Sequence, residues 1–148
     1  MTINVRASLD ADVTAQTMFS VVRDLGTFPM WLDLVHRATS TDEQGDSHAW
    51  DVELRAKIGP FARSKRLRMV RTIDEQPTRV VFERKELDGK KHAPWVLTCD
   101  ISESGSSCSL NVQLHYGGSL FDGGVIERVL ADHIETGKAK LKQFLAGL

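Results

Sequence analysis

Five histidines, two cysteines and twenty carboxylates are the groups from which this 148-residue chain can build acid–base, nucleophilic or metal chemistry. His36, His48, His92, His115 and His133 are scattered through the sequence, whereas a general acid–base mechanism needs a positioned pair or a nucleophile beside its base. Cys99 and Cys108 cannot make a structural zinc site alone. The chain contains no His-Glu-x-x-His, Walker loop, dinucleotide-binding glycine fingerprint or Gly-x-Ser-x-Gly elbow. No catalytic residue can therefore be named from spacing, and neither a metal nor a cofactor is expected.

The polar groups that remain of interest are those that strand alternation brings to an apolar face. Ile3, Val5, Ala7 and Leu9 alternate with polar residues, so the chain opens with a half-buried strand. Asp10 or Asp12 offers a cap to a helix ending near Asp24, and a second short helix is expected over about 28–35. Alternation then predicts strands at 50–57, 66–73, 80–82, 95–101 and 108–116, with a weaker one at 36–43. Gly59-Pro60, Gln76-Pro77, Asp88-Gly89 and Ser104-Gly105-Ser106 supply turns. From about residue 120 the period changes to 3.6: Ile126, Val129, Leu130, Ile134, Gly137, Leu141, Phe144 and Leu145 mark one face of a long helix. Lys138, Lys140 and Lys142 suit the dipole at its end.

Consecutive hairpin-linked strands make an antiparallel meander, and the C-terminal helix is the one long amphipathic element left to cover its apolar face. The expectation is an α+β domain spanning 1–148: a curved antiparallel sheet of six to seven strands wrapped around that helix, with two short helices after the first strand. At 41% hydrophobic and 26% charged residues the chain is neither disordered nor a membrane span. A net charge of −1 gives no overall reason to bind nucleic acid or an anionic membrane. The first residues lack a basic stretch followed by an apolar one, so a cytoplasmic setting is expected, with Cys99 and Cys108 reduced. Equal alternation places Cys99 opposite Leu110 and Ile101 opposite Cys108, leaving the sulfurs as diagonal neighbours poorly arranged for a bridge.

The opening strand and capped helix (3–24), Phe28-Pro29-Met30-Trp31-Leu32, the Ile58-Gly59-Pro60-Phe61 turn, Glu75-Gln76-Pro77 before Val80-Val81-Phe82, and the closing helix carry a resemblance. In this order they resemble the SRPBCC superfamily, which includes START lipid-transfer domains, birch-pollen-allergen-like proteins and bacterial polyketide cyclase/dehydrase proteins. The resemblance covers essentially the whole chain. It implies a helix-grip fold with a deep apolar cavity between sheet and helix, without implying one substrate.

With that cavity, the inward sheet residues Trp50, Leu54, Leu67, Met69, Phe82, Trp95, Leu97, Leu114 and Tyr116 become candidate ligand-binding residues. Val129 and His133 join them from the helix, and Arg84 from the strand position after Phe82 and Glu83. A buried arginine must be paired, at a mouth, or facing a ligand carboxylate or carbonyl; Arg71 reads as an edge charge and Tyr116 as a polar handle. Residues 61–91 carry ten Lys/Arg against five Asp/Glu. Cross-strand pairs of Asp51, Glu53 and Glu83 with Arg66 and Arg68 explain much of this better than a nucleic-acid platform, which needs interleaved aromatics. Gly117-Gly118 and Gly123-Gly124 serve either as caps or, with the 58–61 turn, as a gate over the cavity. The expected function is binding, with or without transport, of a small hydrophobic or amphipathic ligand such as a lipid or polyketide. The expected partner is that ligand, with no nucleic acid, no membrane insertion, and a monomer or homodimer. The alternatives are a polyketide cyclase/aromatase-type enzyme using the same cavity, and a toxin-like or chaperone-associated interaction domain.

Overall fold

The computed structural model describes residues 2–41, 48–58, 60–117 and 125–148, with side chains described for all of these except 58 and 125–127. The chain runs β1 (Thr2–Ala11), α1 (Ala15–Val22), a 3₁₀ turn (Leu25–Met30), β2 (Val35–Thr41), β3 (Ala49–Ile58), β4 (Phe61–Glu75), β5 (Arg79–Arg84), β6 (Trp95–Ser104), β7 (Ser107–Gly117) and α2 (Val125–Ala146). The strands form one seven-stranded sheet in the order β1-β7-β6-β5-β4-β3-β2, every neighbouring pair antiparallel. Closing the meander through β1–β7 leaves β1 and β2 as the two edges, and the sheet curls around α2. This is the α+β helix-grip architecture.

Period-two patterning accounts for the curved face. In β3, Trp50, Val52, Leu54 and Ala56 are buried while Asp51, Arg55 and Lys57 are exposed. Their partners across the ladder are Met69, Leu67, Lys65 and Arg63, so the apolar row gives way to cations toward the start of β4. α1 closes one end of the sheet, with Met18, Phe19 and Val22 fully buried.

Several local expectations are corrected. The cap of α1 is Thr14, whose Oγ1 accepts from the Thr17 N–H at 3.1 Å. Asp10 cannot serve, because β1 pairs with β7 as far as Ala11. The second helix is a 3₁₀ turn over Leu25–Met30. Pro29 inside it lacks an N–H, Asp24 accepts from the Gly26 N–H at 2.8 Å, and Val35 already belongs to β2. α2 runs on to Ala146, so its last turn holds no basic residue and the three lysines stand short of the dipole's end.

The β6–β7 register also differs. Ser104 opposes Ser107 around a two-residue loop with Gly105 at φ 63°, so Cys99 faces Val112 and Cys108 faces Glu103. The sulfurs are further apart along the ladder than equal alternation places them, and both cysteines are free and buried. Arg71 is not an edge charge. Its side chain is 8% exposed; it donates to the Arg23 carbonyl oxygen at 2.7 Å, lies 3.0 Å from His48 Nδ1, and stacks 5.5 Å over Trp50.

Gly59, Gly118, Gly123, Gly124 and the side chain of Ile126 lie outside the described residues. Gly117 ends β7 and donates its N–H to the Pro94 carbonyl oxygen at 3.0 Å. Among the described residues, no helix is long and apolar enough to cross a membrane.

Candidate functional site

Between the concave sheet face and α2 lies a cavity of about 140 Å³. Leu54, Leu67 and Met69 form one wall, and Trp95, Leu97 and Leu114 the opposite one. Phe28 and Trp31, in contact at 4.4 Å, come from the 3₁₀ turn and the residue after it. α2 contributes Leu130, His133, Ile134, Gly137, Lys138 and Leu141, along one helical face. The cavity follows from geometry: a single helix cannot fill a strongly curved sheet, and its backbone approaches mainly β1 and β3, toward the two sides.

Of the residues that sequence reasoning singled out, Leu54, Leu67, Met69, Trp95, Leu97, Leu114 and His133 line this cavity. Trp50, Phe82, Arg84, Tyr116 and Val129 do not. Trp50 and Phe82 meet edge to face at 5.6 Å and fill the core. Tyr116 stacks on Trp95 at 4.6 Å. Val129 is half-buried against the core. Arg84, 9% exposed, donates from Nε to Glu86 at 2.7 Å and from Nη1 to the Ala93 carbonyl oxygen at 3.3 Å. Its charge is thus matched by protein groups, as a buried guanidinium requires.

Sequence reasoning missed Lys138, which with His133 borders the cavity from α2; Ser8 borders it as well but is exposed, on the outward row of β1. Lys138 was legible: it follows Ile134 by four residues, so both lie on one helical face. The Trp95 Nε1–H is buried and has no hydrogen-bond partner among the described residues. Cys99 also lines the wall, and burial pushes its thiol up to about 12, which makes it a poor nucleophile at neutral pH. Among the described residues no three His, Cys, Asp or Glu side chains gather into a metal-holding group. The chemistry the cavity offers is apolar enclosure with few polar groups: His133 and Lys138 on α2, and the Cys99 thiol and Trp95 indole on β6.

The sequence profile of the family described as "Polyketide cyclase / dehydrase and lipid transport" matches residues 2–146. The chain belongs to this family. No curated protein matches it. Among solved structures, a protein from Thermus thermophilus is similar at a TM-score of 0.75 and 16% identity, covering 98% of both chains. The Zhui aromatase/cyclase from Streptomyces sp. R1128 is similar at 0.71 and 8% identity, covering 99% of this chain and 94% of that one. A START superfamily protein from Mycobacterium smegmatis is similar at 0.67 and 15% identity over 97% of both. At such identities these likenesses establish the shared START-like fold.

Proposed function

We propose that this family member binds a compact apolar or amphipathic molecule in the cavity between the sheet and α2. The observation that carries the reading is the cavity's lining: leucines, Met69 and Trp95 on the sheet side, with few polar groups among them. That composition is the usual makeup of a small-molecule site. Its volume of about 140 Å³ is close to the roughly 150 Å³ of an engineered apolar cavity that holds benzene. The occupant is therefore on the scale of one or two rings, and a long acyl chain would require α2 to move away from the sheet. Leu54, Leu67, Met69, Trp95, Leu97, Leu114 and His133 are the proposed contacts. The two free thiols fit a reducing, cytoplasmic setting.

Native mass spectrometry of freshly purified protein should show a co-purified molecule of low mass. Titration with toluene should shift the methyl NMR signals of Leu54, Leu97 and Leu114. Unmoved methyl signals, with no bound mass, would overturn the reading. A cyclase-type enzyme is the second reading. His133 in the wall favours it by placing an imidazole beside the occupant; conversion of an added polyketide-like substrate, lost in His133→Ala, is its test.

A further inference from the structure

The β3–β4 hairpin outruns its neighbours in the sheet. β2 begins at Val35, opposite Leu54, and β5 ends at Arg84, opposite Met69. The loop after β5 runs beside β4 at Arg68, whose N–H donates to Glu86 at 3.2 Å and whose carbonyl oxygen accepts from the Lys85 N–H at 3.0 Å. Lys57, Pro60, Phe61 and Arg63 lie beyond both neighbouring strands, at the end of a two-stranded ribbon in which Ile58 opposes Phe61. Phe61 is 65% exposed, and among the described residues no other Phe, Tyr or Trp is exposed.

This ribbon concentrates positive charge. Residues 55–68 hold six Lys/Arg and no Asp/Glu, which leaves −7 on the rest of a chain whose net charge is −1. Glu53, just behind, holds Arg55 at 3.1 Å and stands 3.9 Å from Arg66. The side chains of Lys57 and Arg63, nearest the tip, make no hydrogen bond or ion pair among the described residues. The same holds for Lys85, Lys90 and Lys91 in the loop after β5, at the same end of the sheet. Arg63 follows Phe61 on one face of the ribbon, and Lys57, opposite Ala62, lies on the other. Cations on an exposed strand edge also keep it from pairing with other chains, but that role calls for no aromatic ring at the tip.

We propose that the β3–β4 tip docks on an anionic lipid surface, with Phe61 entering the boundary between head groups and acyl chains and Lys57 and Arg63 meeting the lipid anions. At about 3.3 Å per residue, Arg63 stands roughly 7 Å behind Phe61, which matches the ~5–10 Å to which apolar side chains sink at a membrane interface. The segregated charge turns this end toward the surface and the negative remainder away from it. A nucleic acid would meet the same cations, but a single ring gives no succession of stacking platforms. The chain then lies on the bilayer without spanning it. The proposal stands apart from the cavity reading and names the surface at which an apolar occupant could be exchanged.

The test is co-sedimentation with vesicles of phosphatidylcholine alone and of phosphatidylcholine mixed with phosphatidylserine. The protein should partition onto the mixed vesicles at low salt, stay in solution with the neutral ones, and be released by high salt. Lys57→Gln and Arg63→Gln should each weaken partitioning about fivefold, and Phe61→Ala roughly tenfold, with urea midpoints unchanged. Lys142→Gln, an exposed cation on α2, should leave partitioning as it was. Phe61→Trp should keep binding, and its added fluorescence should be quenched by lipids brominated on the acyl chains. No partitioning, or equal partitioning onto both vesicle types, would overturn the proposal. So would partitioning that Phe61→Ala leaves intact while polyuridylate is bound as tightly, which would make the ribbon a site for polyanions in general.

Discussion

Gly137 of α2 sits so close to Leu32 that a Cβ built on it would come within 3.0 Å of Leu32 Cδ1 and 3.3 Å of the Trp31 carbonyl oxygen. This contact sets how near the helix lies to the segment that follows α1, and so how deep the cavity is. Alanine there gains about 1 kcal/mol of helix propensity over glycine, which offsets the crowding. Gly137→Val has no such margin, because its extra methyl groups meet backbone. It should lose about 1–3 kcal/mol of stability by overpacking, read from urea unfolding; an unchanged midpoint would mean that α2 shifts without cost.

Leu97→Trp distinguishes a cavity from a solid core. With space to receive the indole, unfolding free energy should stay within about 1 kcal/mol of the parent, whereas overpacking a filled core costs about 1–3 kcal/mol. Toluene affinity, measured alongside, should fall at least tenfold. Clear destabilisation with affinity intact would place Leu97 in packed core.

Cys99 and Cys108 are both buried, and desolvation raises both thiols. A disulfide-exchange reagent should titrate no thiol in the native protein within minutes, and two per chain in denaturant. Rapid native reaction of Cys99 would contradict its place in the cavity wall.

Asp74 accepts from Arg23 Nη2 at 2.7 Å, and that bond, aided by the nearby Arg71 charge, holds its carboxyl below the usual range near 3.8. A carboxyl that loses its proton more readily in the folded state contributes stability above the unfolded-state value, and this is lost as pH falls through the folded one. Asp74→Asn should therefore be less stable than the parent at pH 7, and the difference should close below about pH 4. A difference independent of pH would assign the effect to packing.

Strand alternation made most of the fold legible, because the β3, β6 and β7 periods survive folding, whereas the β4 period breaks at an irregularity between Arg71 and Ile73 that buries Val70 beside Met69 and leaves Ile73 exposed. What alternation does not carry is which buried residue faces space and which faces a neighbour. Trp50 and Leu54 sit on the same side of β3, separated by an even number of positions, yet Trp50 packs on Phe82 and Leu54 borders the cavity. Arg71 read as an edge charge because its partners, the Arg23 carbonyl and His48, are distant in sequence. Glu53, between Arg55 at 3.1 Å and Arg66 at 3.9 Å, is the cross-strand pairing that the charge pattern did foretell.

A cavity has a mechanical consequence as well as a chemical one. Unfolding under hydrostatic pressure is driven by the loss of internal voids, typically about 20–100 mL/mol, and about 140 Å³ per molecule is of that order when expressed per mole. The protein without ligand should therefore be unusually pressure-labile for its size. A molecule that fills the cavity removes most of that volume difference, so the pressure midpoint reports occupancy directly, whatever the ligand's spectroscopic properties.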